Sequence, residues 1–139
     1  MPEDNKYFHY YNANPKNKRG KDCTYRAFCL FFGISWEDVA RLDAEFYLKH
    51  GMWLYTTEYE GCFFHSRINL LMEERGYKQV YAYNSGEHIP TLRDFINSYA
   101  LPDKKYLCEL GNHMVAIKDG KVWDTWDSSG QCPNMIFEN

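Results

Sequence analysis

A cysteine at the predicted start of a helix and a histidine at the start of a predicted strand are the residues best suited to covalent chemistry. Cys23 follows Asp22, a residue typical of helix N-caps, so its thiol lies where unpaired backbone N–H groups favour a thiolate. His113 opens a strand far along the chain, and Asp124 lies in the strand after it. A cysteine, a base and a carboxylate that orients the base can together perform nucleophilic acyl transfer.

The stretch around Asp119-Gly120 predicts how the histidine and the aspartate are related in space. Asp-Gly between two β-rich runs is typical of a hairpin with a two-residue type I′ turn. In that register His113 lies opposite Trp126, and Asp124 is a diagonal neighbour of His113 on the same face. Asp127 falls on the opposite face, so Asp124 is the carboxylate expected to orient the imidazole.

The other cysteines have positions less suited to a nucleophile. Cys29 lies in the middle of an apolar helix, Cys108 in a strand and Cys132 in a tail loop. An odd number of cysteines without a CxxC pair argues against both a disulfide framework and a zinc ribbon. Cys62-x-x-His65 has a spacing that one helical turn allows, but we expect a buried thiol beside a surface histidine there. No metal and no other cofactor is expected.

Periodicity and capping residues predict the elements that position these side chains. Helices are expected from Asp22 to Gly33, from Trp36 to about His50, from about Cys62 to Arg75 and from Leu92 to Tyr99. Strands are expected at Tyr7–Tyr11, Tyr77–Tyr83, Tyr106–Leu110, 113–118 and 121–125. The chain lacks a linker, so residues 1–139 are expected to form a single domain. The fold class is α+β, with N-terminal helices packed on a C-terminal antiparallel β-sheet.

Composition and charge exclude several classes of function. The 139 residues carry a net charge of -3, which leaves no basic surplus to neutralise nucleic-acid phosphates. The 45% hydrophobic content is too high for a disordered chain, and no apolar run is long enough to span a membrane. The N-terminus lacks the layout of a secretory signal, so we expect a cytoplasmic protein.

Three motifs together resemble a known family. They are Asp22-Cys23-x-x-Arg26-Ala27, His113-x-Val115-Ala116-Ile117 and Asp124-x-Trp126-Asp127-Ser128. In these motifs the chain resembles small papain-like cysteine peptidase proteins of bacteriophages and bacteria. Such chains often begin with an aromatic-Tyr-Asn-x-Asn-Pro segment similar to Tyr10–Pro15. The resemblance covers both ends of the chain, whereas residues 40 to 105 match only in their coarse layout of helices and strands.

The resemblance implies a role for individual residues. Cys23 corresponds to the nucleophile that opens the central helix, His113 to the general base, and Asp124 to the residue that orients the base. Papain-like enzymes usually have a Gln about six residues before the nucleophile, which completes the oxyanion hole. Asn17 occupies that position here, one methylene shorter.

Two further residues are candidates for substrate binding. Arg26 lies one turn after Cys23, where it could bind a substrate carboxylate; the alternative is a structural ion pair with an acidic group such as Glu37 or Glu45. Trp126 is expected beside His113, as an aromatic wall that shields the imidazole from water.

These residues predict a cysteine-nucleophile acyl-transfer hydrolase of the peptidase or amidase type. Its substrate would be a protein or peptide, and a host protein in the host cytoplasm if the chain is encoded by a phage. Two alternatives stay open. A transglutaminase or acyltransferase would use the same triad with an amine acceptor, and a papain-like binding protein of phage origin would act in counter-defence or host modulation by sequestering its partner.

Overall fold

The computed structural model describes residues 2–17, 22–54, 62–111 and 113–139, those from 62 to 65 in backbone only. These residues form an α+β fold with four helices and one six-stranded mixed sheet. The helices are α1 (Cys23–Phe32), α2 (Trp36–His50), α3 (Cys62–Glu74) and α4 (Leu92–Ser98). The strands are β1 (Phe8–Tyr10), β2 (Lys78–Ala82), β3 (Tyr106–Glu109), β4 (Met114–Lys118), β5 (Lys121–Asp124) and β6 (Met135–Glu138).

The helices begin and end at the residues that local chemistry predicts. Helices α1 and α2 end at Gly33 and Gly51, whose positive φ angles of 68° and 72° suit glycine. The Ser35 side chain accepts a hydrogen bond from the Asp38 backbone N–H at the start of α2. Thr91 begins α4 with a complete capping box.

The hairpin that carries the histidine and the aspartate has the predicted turn. Asp119 and Gly120 both have positive φ, at 53° and 71°, as a type I′ turn requires. The register pairs Lys118 with Lys121, so the turn contains two residues and the alternation of side chains follows the prediction.

The sheet differs from the predicted antiparallel sheet in one pairing. The strand order is β1-β5-β4-β3-β6-β2, and β1 runs parallel to β5 while the other neighbours are antiparallel. Hydrogen bonds from Val122 N to Tyr7 O and from Tyr11 N to Asp124 O, both 2.8 Å, hold β1 in place. Parallel pairing needs a long connection between the strands, and here all four helices lie between β1 and β5 in sequence.

Strand β6 is not among the elements that the sequence predicts. Cys132 lies in a loop as expected, but the residues that follow form β6, which pairs with β3 on one side and β2 on the other. The residues Pro133 and Asn134, which are typical of turns, directly precede the strand, and its extended conformation is stabilised by pairing with a strand on each side.

Both faces of the sheet are covered, which explains why β4 is almost continuously apolar. One core cluster joins residues of α1, α2 and α3 to Leu107, Met114, Ala116, Met135 and Phe137 of the sheet. A second cluster joins Leu92 and Phe95 of α4 to the alternate strand residues Tyr106, Cys108, Val115, Ile117 and Ile136. In the part of the chain that is described, no helix has the length and apolarity needed to cross a bilayer.

Candidate active site

Cys23 is the first residue of α1, and its half-buried side chain packs against the cluster on the α1 side of the sheet. The His113 side chain and the backbone N–H of Met114 interact with the thiol, and both lower its pKa. The residue at the start of the helix therefore faces the residue that precedes β4, as the sequence analysis expected.

His113 is oriented by Asp124. The imidazole Nε2 atom lies 2.6 Å from the Asp124 carboxylate Oδ2 atom, and Asp124 is only 2% exposed at the end of β5. Because a carboxylate oxygen accepts, Nε2 donates and carries a proton. The nitrogen left to face Cys23 is Nδ1, and this nitrogen can exchange a proton with the thiol.

The electrostatics of the pair favour charge separation. Burial opposes ionisation of Cys23, but the hydrogen bond from His113, its charge, the Met114 N–H and the Arg26 charge together lower the pKa of the thiol. Burial likewise opposes the imidazolium, but Asp124 and Cys23 raise the pKa of His113 to about 9. A thiolate and an imidazolium are therefore the favoured forms between the two pKa values.

The Asp124 carboxylate is held by three hydrogen bonds from three residues. Its Oδ1 atom accepts from Arg26 Nη2 at 3.1 Å and from the Thr125 backbone N–H at 2.7 Å, while Oδ2 accepts from His113. This arrangement fixes the direction of the oxygen that faces the imidazole, so Asp124 can keep His113 in one orientation.

Arg26 lies behind the site as a link between two carboxylates. Its side chain is 4% exposed, and its guanidinium pairs with Asp22 and with Asp124. The sequence suggested Glu37 or Glu45 as the partner in a structural ion pair, whereas the observed partners are Asp22 and Asp124. A substrate carboxylate would have to displace one of the two buried carboxylates to bind Arg26, so the contacts are those of a positioning residue.

Asp22 has a role that the sequence analysis did not anticipate. It occupies the N-cap position of α1, but its side chain makes no capping hydrogen bond to the helix. The carboxylate instead pairs with Arg26 and accepts hydrogen bonds from Asn14 Nδ2 at 2.8 Å and Trp36 Nε1 at 3.1 Å. The sequence feature that indicates this ion pair is the four-residue spacing of Asp22 and Arg26, which brings two side chains together on one side of a helix. The Asp22 side chain thus makes no hydrogen bond to the first backbone N–H groups of α1, the helix that Cys23 begins.

Asn17, the predicted oxyanion residue, lies at the surface. It is the last residue of a turn in which its backbone N–H donates to Asn14 O at 2.9 Å, and its φ of 55° is left-handed. Residues 18–21, which connect Asn17 to Asp22, lie outside the described part of the chain. The contribution of Asn17 to an oxyanion hole stays a prediction.

Trp126 lies beside the imidazole, as the hairpin register indicated. The ring centroids of Trp126 and His113 are 4.7 Å apart with the planes at 38°, and Trp126 is 41% exposed. Asp127 points elsewhere and accepts hydrogen bonds from Asn5 and Ser129. Trp126 thus covers part of the His113 ring while presenting its own outer surface to solvent, where a substrate could contact it.

The remaining described cysteines lack the environment of Cys23. Cys29 is buried, and burial together with the charges of nearby acidic groups raises the pKa of its thiol to about 11. Burial raises the pKa of Cys108 further, and Cys132 is exposed in a loop. The side chains of Cys62 and His65, which the sequence spaces by one helical turn, lie outside the part of the chain that the structure describes. Among the described residues no group of three or more His, Cys, Asp or Glu side chains could hold a metal ion.

Comparison of the chain with protein-family models, curated proteins and solved structures gives no match.

Proposed function

We propose that this protein is a cysteine acyl-transfer hydrolase of the peptidase or amidase type, with Cys23 as nucleophile, His113 as base and Asp124 orienting the base. The observation that carries the proposal is the sequence of interacting groups Cys23, His113 and Asp124: His113 lowers the pKa of the thiol, and its Nε2 atom lies 2.6 Å from the buried Asp124 carboxylate. A cysteine that is only structural has no chemical need of a base whose other nitrogen is fixed by a carboxylate.

In the first half of the reaction, the Cys23 thiolate attacks the carbonyl carbon of an amide while His113 holds the proton as imidazolium. The developing oxyanion accepts a hydrogen bond from the Cys23 backbone N–H at the start of α1, where the Asp22 side chain makes no capping bond, with Asn17 as the second proposed donor. His113 then gives its proton to the leaving amine, the C–N bond breaks, and an acyl thioester remains on Cys23.

In the second half, His113 removes a proton from water, which attacks the thioester carbon and releases the acid. The Cys23 thiolate leaves and again forms the ion pair with the protonated His113. With an amine in place of water, the same steps would transfer the acyl group, which is the transferase alternative.

The proposal includes a papain-like arrangement of the fold. A nucleophile that opens a helix packed on the sheet, a base just before one strand and an orienting carboxylate at the end of the next strand fit the arrangement that the sequence resemblance implies. The four described cysteines are free thiols, which supports action in a reducing compartment such as the cytoplasm. The proposed substrate is a protein or peptide, a host protein if the chain is of phage origin.

The test is incubation of a complex peptide mixture with the wild-type chain, with Cys23→Ser and with Cys132→Ser. Mass spectrometry follows new peptide termini, deamidated side chains and acyl adducts on each cysteine, with and without an added primary amine. We expect products from wild type and Cys132→Ser, none from Cys23→Ser, and an acyl adduct on Cys23 alone. Incorporation of the added amine into the products would show that the protein acts as a transferase. Products that persist in Cys23→Ser, or an absence of any Cys23-dependent product or adduct, would contradict the proposal.

A further inference from the structure

A second concave site lies on the α4 side of the sheet, away from Cys23. It is a cavity of about 290 Å³ whose walls include Tyr81, Phe95, Tyr99, Tyr106, Glu87 and Glu138. Phe95 and Tyr106 belong to the core cluster on the α4 side, whereas Cys23 packs against the cluster on the opposite side. The two sites are therefore separated by the sheet itself.

Aromatic rings form much of the cavity wall. Phe95 meets Tyr106 edge-on, with ring centroids 5.0 Å apart, and lies nearly parallel to Tyr99 at 6.1 Å. Tyr106 and Phe95 are buried, at 1% and 3% exposed, whereas Tyr99 is 46% exposed and is the ring of this group that a ligand can reach. The faces of such rings carry partial negative charge and attract cations.

The charged residues of the wall are carboxylates. Of the described residues that line the cavity, Glu87 and Glu138 are acidic and none is basic. Lys104, which is not part of the wall, reaches Glu138 Oε1 only at 3.9 Å. The carboxylates act on the phenols, since the hydrogen bond to Glu87 raises the pKa of Tyr99, and burial together with the Glu138 charge raises that of Tyr106. The cavity thus combines negative charge with aromatic surface.

We propose that this cavity binds a guanidinium group, supplied by an arginine side chain of a peptide or by a small guanidine. A guanidinium is a planar cation that stacks on aromatic faces and donates several hydrogen bonds to carboxylates, and this wall offers the exposed ring of Tyr99 beside Glu87 and Glu138. The volume is at the lower limit of ligand sites and suits one side chain rather than a large cofactor. This binding activity does not depend on the triad and goes beyond acyl transfer.

The experiment is an NMR titration of the isotope-labelled chain with the capped peptide acetyl-arginine-methylamide. The ring signals of Tyr99 and Phe95 and the methyl signals of Ile89, another wall residue, report on the cavity. The citrulline analogue is the matched ligand control, because it has nearly the same shape without the charge. We expect saturable shifts with arginine, and binding about tenfold weaker or worse with citrulline.

Substitutions in the protein test which carboxylates bind the guanidinium, with a third glutamate as the matched control. Glu87→Gln and Glu138→Gln should each weaken arginine binding about tenfold, whereas Glu73→Gln, at an exposed position on α3, should leave it unchanged.

A methylguanidine titration distinguishes the two sources of the guanidinium group. Affinity equal to that of the capped arginine indicates a small guanidine, and clearly weaker affinity indicates a peptide. The proposal is overturned if no saturable shift occurs in the wild type, if citrulline binds as well as arginine, or if the Glu87→Gln/Glu138→Gln double variant, with an otherwise native spectrum, binds normally.

Discussion

Two cysteines of the same helix, six residues apart, have opposite properties. At the start of α1 the pKa of Cys23 is lowered, whereas in the middle of α1 the pKa of Cys29 is raised to about 11. Both thiols are at least partly buried, and burial alone would raise the pKa of each. At Cys29 burial is the main cause of the raised pKa, whereas at Cys23 the partners of the thiol outweigh the effect of burial.

The charges around the two thiols explain the contrast. Cys23 has the His113 side chain, the Met114 N–H and the Arg26 guanidinium nearby, all of which stabilise a thiolate. At Cys29 burial raises the pKa most, and the negative charges of Asp22 and Glu37 add to the rise. Arg26 and Asp22 form an ion pair with each other. The positive charge of Arg26 lowers the pKa of Cys23, and the negative charge of Asp22 raises the pKa of Cys29.

Of the substitutions that disturb this contrast between Cys23 and Cys29, removal of Arg26 should have the largest effect. Arg26→Met leaves Asp22 and Asp124 buried without their shared cation, and we expect the free energy of unfolding to fall by about 3–5 kcal/mol. Urea denaturation measures the change. Arg41→Met is the control, because Arg41 makes an exposed pair with Asp38 and its loss should change stability by no more than about 1 kcal/mol. Equal effects of the two substitutions would refute the structural role of Arg26.

The pH dependence of turnover provides a second, smaller test. The raised pKa of His113 means that the imidazolium, which protonates the leaving group, persists until the pH passes about 9. The lowered pKa of Cys23 means that the thiolate persists below the range of an ordinary thiol. We expect kcat/KM to be bell-shaped, falling about tenfold per pH unit beyond each limb, with its alkaline limb near pH 9. An acid limb at the ordinary pKa of a free cysteine would contradict the ion pair.

The smallest effect is expected at Cys29. Cys29→Ala removes a buried thiol from the core without touching the triad, so stability should fall by about 1 kcal/mol. Turnover and the alkylation rate of Cys23 should stay within about twofold of the wild type, since no charge near Cys23 is changed. Thermal unfolding and alkylation kinetics check the two expectations, and a large loss of turnover in a folded Cys29→Ala variant would show that the two thiols are not independent.

Local chemistry made much of the fold predictable. Gly33 and Gly51 end their helices, Thr91 begins one with a capping box, and Asp119-Gly120 forms the expected turn. The turn also made part of the site predictable, because the register of a hairpin relates His113 to Asp124 and Trp126 without any tertiary information.

The features that were not predictable depend on contacts between distant parts of the chain. The parallel position of β1 and the identity of β6 are determined by partners far away in sequence. The pair between Arg26 and Asp124 joins residues 98 positions apart, so nothing near Arg26 in the sequence indicates it.

The most direct test of the central claim is the site-resolved alkylation rate of each cysteine from pH 5 to 9, in the native chain and in His113→Ala. Cys132 is exposed and serves as the internal reference thiol. At pH 6 we expect Cys23 to react with iodoacetamide at least about tenfold faster than Cys132, because a larger fraction of it is thiolate. His113→Ala should abolish that advantage and leave the rate of Cys132 unchanged. If Cys23 follows the pH dependence of Cys132 in the native chain, or keeps its advantage without His113, then His113 does not activate Cys23 and the proposed triad is wrong.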